Sequence, residues 1–169
     1  MKIIEGLKKI KELQKKAEDL RDKIKHHSAY LSTETAVYEN QKRQVQDWLQ
    51  AHSDVLKEVL NLRITIQKTN INTMVTINLN GKGVEKSIAE WIHRRRDLAN
   101  DERNAWKGLT DRGLRETSHK ESTGELKEIK IVRCYDPKTR DEKVEIYDNE
   151  PSTIDSKLEV VNAVTELQT

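Results

Sequence analysis

The first part of the chain carries an apolar stripe with the spacing of a coiled coil. Charged residues fill most other positions, and aliphatic residues recur at intervals of four or three: Ile3, Leu7, Ile10, Leu13, Ala17, Leu20 and Ile24. A second stripe runs from about Val37 to Lys68, after a short polar link. Ser32–Thr35 supply candidate N-caps for this second helix. Residues 1–68 are therefore predicted to form a long antiparallel helical hairpin.

The pattern changes after Lys68, where asparagine and β-branched residues replace good helix formers. An alternating run at 74–79 predicts a strand, and Asn80–Gly83 predicts a turn. Pro151 is expected to open the last helix at its first position. The predicted segments are a β/turn insertion at 69–83, a third helix at 84–109, a polar loop at 110–127, a β-hairpin at 128–148 and a C-terminal helix at 150–168.

Composition favours the same architecture. The 169 residues are 36% charged and 34% hydrophobic, with 4% aromatic residues and no Phe. So little apolar mass is better suited to long paired helices than to one compact core. The predicted fold is mainly α, in a single elongated domain that forms a homodimer or a higher homo-oligomer.

Charge and cysteine content restrict the possible binding partners and the cellular compartment. A net charge of +2 argues against binding to duplex nucleic acid. No apolar run is long enough for a membrane span, so no membrane partner is expected. The single Cys134, predicted to be buried and inert, is typical of a reducing compartment. The prediction is a cytoplasmic protein, in the host cytoplasm if a phage encodes it.

The near-zero net charge conceals separate blocks. Residues 1–30 carry nine Lys and Arg against five acids, and residues 82–115 carry nine against six. Residues 141–169 carry two against eight. The acidic C-terminal helix is therefore predicted to pack near a basic face, within or between subunits.

No catalytic set is recognisable in the sequence. It contains no Walker-type glycine loop, no G-x-G-x-x-G after a strand and no H-E-x-x-H. His93 and Asp97 lie four residues apart, but an ordinary charged helix turn is the better interpretation. The protein is predicted not to be an enzyme, and neither a metal nor a cofactor is expected.

Two clusters are the candidate ligand-binding residues. One is the neutral hydrogen-bonding group where the second helix ends, and the other is the arginine run of the third helix, with two residues of the later hairpin as a second wall. The full set is Thr69, Asn70, Asn72, Thr73, Trp91, Arg94, Arg95, Arg96, Arg133 and Tyr135.

Helical spacing from Val84, Ile88 and Trp91 places Arg95 on the apolar stripe, where an unpaired charge is costly. Two hypotheses remain open. Arg95 pairs with an internal carboxylate such as Glu58 or Asp97, or it holds a phosphate together with Arg94 or Arg96. In the second case the asparagines would bind sugar or base, and Trp91 would offer a stacking face.

Several short motifs resemble the septicolysin family of small bacterial and phage proteins. They are Met1–Leu7, Glu12–Lys16, Ile66–Asn70, Ile154–Glu159, Asn162 and Thr165–Leu167. The chain departs from that pattern in its insertion at Asn80–Gly83 and in Ala163. The resemblance implies a coiled-coil-like helical protein, and nothing in the sequence supports the toxin activity in the family's name.

The chain is also similar in type, though not in motif, to small phage proteins that capture nucleotide immune signals, such as the anti-Thoeris proteins. That similarity implies a non-catalytic sponge for an anionic nucleotide-type molecule, for example a cyclic ADP-ribose derivative, in anti-defence. The alternative is a structural or protein-interaction protein, such as a virion or assembly component. An enzyme is the third hypothesis.

Overall fold

The computed structural model describes residues 1–168, and the fold is mainly α, as the sequence predicted. The helices are α1 (Ile3–His27), α2 (Gln41–Asn72), α3 (Ile88–His93), α4 (Ala99–Lys107) and α5 (Pro137–Val164), with a π-helical turn at Arg94–Leu98 between α3 and α4. The strands are β1 (Met74–Leu79), β2 (Lys82–Ser87), β3 (Thr117–Lys120) and β4 (Leu126–Ile129).

The chain, predicted as one elongated domain, divides into two compact units. The first unit contains residues 1–74, 87–89 and the C-terminal residues from 158 onward. The second contains residues 75–86 and 90–157. Each unit has its own buried residues, and each is described separately below.

The first unit is built on the antiparallel hairpin of α1 and α2. Its aliphatic seam buries Ile3, Ile10, Leu13, Ala17, Leu20, Val55, Val59 and Ile66. Lys9 Nζ lies 2.6 Å from Glu58 Oε1 across the pair. The predicted spacing of α1 is thus correct, except that Leu7 is 41% exposed.

The start of α2 differs from the prediction. Asn40 caps the helix, because its Oδ1 accepts a hydrogen bond from the Arg43 amide at 3.1 Å. The proposed N-caps at Ser32–Thr35 are therefore wrong. An aromatic cluster closes the hairpin here, with the His27 ring 5.3 Å from that of Tyr38 and 5.5 Å from that of Trp48.

The end of α2 also differs, because the helix continues through the polar residues to Asn72. Thr69 is fully buried, and its hydroxyl accepts from the Gln168 amide at 2.9 Å. The C-terminal segment 165–168 also pairs with the start of α1. Ile3 N donates to Thr165 O at 3.0 Å, and Leu167 N donates to Met1 O at 2.8 Å. Such tertiary contacts outweigh the weak helix propensity of residues 69–72.

Strand β1 matches the predicted strand and is followed by a two-residue turn in the second unit. Asn80 and Gly81 have φ angles of 50° and 77°, which is the requirement of a type I′ hairpin turn. The turn sends residues 82–87 back along β1 as β2. The third helix therefore begins at Ile88 and not at residue 84, which corrects the prediction.

The predicted β-hairpin at 128–148 is wrong. Lys143–Tyr147 lies within α5, which begins at Pro137. Asp136 caps this helix, because its Oδ2 accepts from the Thr139 amide at 2.9 Å and from the Thr139 hydroxyl at 2.6 Å. Pro151, predicted to open a helix, lies inside α5.

The second hairpin lies earlier, largely within the segment predicted to be a polar loop. Strands β3 and β4 pair antiparallel from Thr117 opposite Ile129 to Lys120 opposite Leu126. All eight residues of the pair are exposed. Exposure on both faces explains why this hairpin has no apolar alternation that a sequence pattern could reveal.

Candidate functional site

The arginine run of the second unit lies on the π-helical turn Arg94–Leu98. Trp91 and Ala99 are both fully buried, although they lie eight residues apart. Two turns of α-helix take about seven residues, so the π turn accommodates one extra residue between them. After the π turn, the buried position is therefore Ala99 and not Leu98, which is 46% exposed. Arg95, predicted to lie on the stripe, is exposed, and Arg94 is the arginine that turns inward.

Arg94 is held by two carboxylates. Its Nε and Nη2 donate to the two oxygens of Glu150 at 2.7 and 2.8 Å, and Nη2 also donates to Glu102 Oε2 at 2.9 Å. The side chains of Arg94 and Glu150 are only 17% and 5% exposed. The Glu150 hydrogen bonds raise the pKa of Arg94, and the Arg94 hydrogen bond lowers the pKa of Glu102. This guanidinium therefore completes a structural ion pair.

Arg95 and Arg96 have weaker, exposed partners. Arg95 Nη1 lies 2.5 Å from Asp155 Oδ1, so its internal partner is Asp155 and not Glu58 or Asp97. Arg96 Nε lies 3.3 Å from Asp97 Oδ2.

Acids of α5 thus pair with arginines of the 94–103 region, including Arg103 with Asp148 at 2.6 Å. The prediction that the acidic C-terminal helix packs near a basic face is confirmed, within the chain.

Trp91 does not offer the predicted stacking face. It is fully buried in the second unit, and its Nε1 donates to Val75 O at 2.9 Å. A buried indole with its N–H paired acts as a core residue.

The polar cluster at 69–73 belongs to the first unit. Thr69 donates to Thr65 O at 2.9 Å, and Asn72 Nδ2 donates to Gln168 Oε1 at 3.2 Å. Asn70 Oδ1 and Thr73 Oγ1 are buried and have no hydrogen-bond partner within residues 1–168. Thr69 and Asn72 thus serve contacts within the unit, and the sequence could not show which members of the cluster would be paired.

Arg133 and Tyr135 converge on a residue that the sequence did not suggest. Arg133 Nε and Nη2 donate to the oxygens of Asp111 at 2.7 and 2.6 Å, and the Tyr135 hydroxyl donates to Asp111 Oδ1 at 2.9 Å. Hydrogen bonding to Arg133 holds the pKa of Asp111 below its ordinary value, and Asp111 raises the pKa of Arg133. Arg140 lies over the Tyr135 ring, 5.5 Å from its centre.

Asp111, Arg133 and Tyr135 line a pocket of about 310 Å³ in the second unit. Its charged and polar lining includes Asp111, Arg112, Arg133 and Tyr135, and its apolar lining is Leu109, Leu114, Ile131 and Val132. Cys134 also lines it and is exposed, which corrects its predicted burial. We call this the 108–135 pocket.

Among residues 1–168, no group of three or more His, Cys, Asp or Glu side chains is arranged to hold a metal ion. None of the helices described in that range is long and apolar enough to cross a membrane. A second pocket of about 340 Å³ lies beside the aromatic cluster of the first unit, lined by His27, Tyr30 and Gln41 among others.

The fold defines a mainly α protein with a long helical hairpin and two small β-hairpins. Residues 10–167 match the model of DUF6847, described as a family of unknown function, so the chain belongs to that family. A crystal structure of a functionally unknown conserved protein from Corynebacterium diphtheriae is similar in fold, with a TM-score of 0.58 and 19% identity over 99% of both chains. No curated protein matches the sequence.

Proposed function

We propose that the protein is a non-catalytic binding protein that holds an anionic nucleotide-type small molecule in the 108–135 pocket. The observation that carries the proposal is a pocket that combines two guanidinium groups, a tyrosine ring and an apolar wall. Its volume of about 310 Å³ is near the lower end of the range for small-molecule sites.

The charge of the pocket favours an anion. Arg112 and Arg133 line it with one carboxylate, Asp111, so its charged lining carries an excess of one positive charge. Arg112 makes no ion pair with any other residue in 1–168. Arg133 uses Nε and Nη2 for Asp111, which leaves Nη1 to donate to a phosphate oxygen.

The Arg133–Asp111 pair is open to exchange. The side chains of Arg133 and Asp111 are 43% and 32% exposed, so a ligand can reach both. A phosphate can therefore compete with Asp111 for part of the guanidinium fork. Asp111 then retains Tyr135 as a donor and can accept a ribose hydroxyl.

The apolar wall suits a base or another flat group. Val132 and Leu114 are 86% and 53% exposed, and Tyr135 presents a ring beside them. A flat ligand binds more tightly through such contacts, because its faces and the aliphatic side chains of the pocket are buried from water at the same time. In the finer form of the proposal, the protein is a cytoplasmic phage-type sponge that sequesters a signal such as a cyclic ADP-ribose derivative.

Calorimetric titration with a panel of cyclic nucleotides and ADP-ribose isomers tests this function. We expect one class to bind, and Arg112→Ala combined with Arg133→Ala to weaken that binding by at least tenfold. Arg96→Ala, which removes an exposed arginine outside the pocket, is the matched control. Absence of heat from every ligand would overturn the proposal, and mass spectrometry of recovered ligand would distinguish sequestration from conversion.

A second candidate function is a structural or protein-interaction role. The observation that favours it is a row of half-exposed aliphatic side chains on α2: Leu49, Leu56, Leu60, Ile64 and Ile71. Native mass spectrometry of the protein isolated from its source cells tests this role. A stoichiometric partner protein without a bound small molecule would favour it over the first proposal.

A further inference from the structure

Helix α2 carries two apolar stripes, and only one of them is covered. Val55, Val59 and Ile66 pack in the hairpin seam with exposures of 5–7%. The second stripe is 42–56% exposed and consists of Leu49, Leu56, Leu60, Ile64 and Ile71. At about 100° per residue, these five positions fall within an arc of about 80°, centred about 120° around the helix from the seam. We call them the α2 stripe.

The spacing of the α2 stripe is symmetric about its middle residue. Leu56 and Ile64 lie four residues before and after Leu60, and Leu49 and Ile71 lie eleven before and after it. Even the polar positions on the same arc, Ser53 and Gln67, are seven residues to either side. A stripe with this symmetry is complementary to a reversed copy of itself.

We propose that two copies of the chain pair through the α2 stripe, antiparallel, about a two-fold axis at Leu60. In an isologous interface each residue meets its symmetry mate or exchanges partners with another. Leu60 then packs on the partner's Leu60, Leu56 on the partner's Ile64 and Leu49 on the partner's Ile71. The sequence suggested a homo-oligomer, and the structure assigns a surface and an orientation to it.

Charged residues beside the stripe are compatible with this orientation. A two-fold axis across antiparallel helices brings like flanks together. Asp54 and Lys68 lie on one flank, and the axis at Leu60 leaves each about two residues, roughly 3 Å along the helix, from the other's mirrored position. Lys57 and Arg63 mirror each other in sequence but lie on opposite flanks, so they do not meet. Asp54 already accepts a hydrogen bond from Lys57 of its own helix at 3.2 Å, so the partner's Lys68 adds a second cation near that carboxylate.

The area is sufficient for a dimer of moderate stability. The stripe extends over about 33 Å of helix, and its half-exposed side chains offer on the order of 400 Å², the scale of the largest apolar patches on monomers. A stable interface buries roughly 800 Å² on each partner. The stripe supplies about half of this as an apolar centre, and the polar flanks of α2 supply the rest as a rim.

Cysteine cross-linking of the full chain tests both the surface and the orientation. In a Cys134→Ser background, which removes the exposed native thiol, Leu60→Cys is expected to form an intermolecular disulfide under mild oxidation. Leu49→Cys is expected not to do so, because eleven residues from the axis place it about 33 Å from its mate. Cross-linking of both variants would indicate parallel pairing, and cross-linking of neither would exclude the interface. Either result overturns the proposal.

Sedimentation velocity provides the second measurement. We expect a species of twice the 19.7 kDa chain mass, and at least tenfold weaker association in Leu60→Glu, which places two like charges on the axis. Leu31→Glu is the matched control, because Leu31 is 67% exposed and lies outside the stripe. A monomeric wild type, or equal weakening by both substitutions, would contradict the proposal. This pairing does not depend on the 108–135 pocket, so either proposal can fail alone.

Discussion

The α1–α2 hairpin and the region where α5 meets the arginine run are both helical, but different interactions hold them together. The hairpin closes on an aliphatic seam, and its cross-pair between Lys9 and Glu58 is at the surface. In the second unit, the bidentate pair of Arg94 and Glu150 is almost withdrawn from water. The aliphatic seam is visible as a local period, whereas the ion pair joins residues 56 positions apart.

This difference has an energetic consequence. Burial of a methylene group is favourable wherever it occurs, so an aliphatic seam does not depend on one particular charged partner. A buried ion pair is favourable only when both partners are present and correctly oriented, because each charge has lost its hydration. We therefore expect the second unit to be more sensitive to single charge changes than the hairpin.

The largest expected effect concerns the aromatic core of the second unit. Trp91→Ala should lower the free energy of unfolding by about 3–5 kcal/mol, because it empties a fully buried site. Urea unfolding followed by circular dichroism measures it. Trp106→Ala, at a half-buried position, is the control and should cost clearly less. Equal losses would mean that Trp91 is not the core residue described above.

The next effect separates buried from exposed ion pairs. Glu150→Ala leaves Arg94 without its main partner and should cost about 3 kcal/mol. Asp155→Ala removes the partner of Arg95, which is 40% exposed, and should cost at most about 1 kcal/mol. Urea midpoints of the two variants provide the comparison. Similar losses in both would contradict the distinction between the two arginines.

As the pH falls, the second unit should lose its native structure at a higher pH than the hairpin. Hydrogen bonds from Arg94, Arg133 and Arg103 lower the pKa values of Glu102, Asp111 and Asp148, respectively. A lowered pKa in the folded state adds stability above the ordinary carboxyl pKa of about 4, and this stability is lost as the pH falls below that value.

In the hairpin, the pKa of Asp54 is lowered mainly by its hydrogen bond with Gln50 and then by that with Lys57. The indole N–H signals of Trp91 and Trp106 should therefore lose their native positions at higher pH than that of Trp48, as followed by NMR. Loss of the Trp48 signal first would oppose this order.

The smallest effect is expected from Arg95, which the ligand-binding hypothesis placed on the apolar stripe. Arg95→Ala should leave the affinity for an anionic ligand within twofold of the wild type, because Arg95 does not line the 108–135 pocket. Calorimetry with the ligand that binds best is the measurement. A loss of affinity of tenfold or more would indicate that the ligand binds at the arginine run and not in the 108–135 pocket.

The hairpin could be predicted because its information is local. Intervals of four and three between aliphatic residues indicate α1. In the same way, the alternating residues of β1 and the following Asn80 and Gly81 indicate a strand and a turn within a few residues. The start of α5 was also accessible, since Asp136 followed by Pro137 is a common N-cap and first-turn pair. The alternation in 143–147 obscured it, because five residues can fit both periods.

The site depended on information that no local pattern contains. Arg94 turns inward because its partners Glu102 and Glu150 lie 8 and 56 residues away, and no local pattern distinguishes it from Arg95. Asp111 joined Arg133 and Tyr135 across more than twenty residues. The burial of Thr69 and Trp91 likewise depends on residues outside their local pattern. Thr69 accepts from Gln168 of the C-terminal segment, and Trp91 donates to Val75 O.

Two double-mutant cycles measure the contrast most directly. One pairs Arg94→Met with Glu150→Leu, and the other pairs Arg95→Met with Asp155→Leu, each followed by the free energy of unfolding. We predict a coupling energy of about 2 kcal/mol or more for the buried pair, and below about 1 kcal/mol for the exposed pair. Equal couplings, or a larger value for Arg95 and Asp155, would contradict the claim that Arg94 is the structural arginine of this helix.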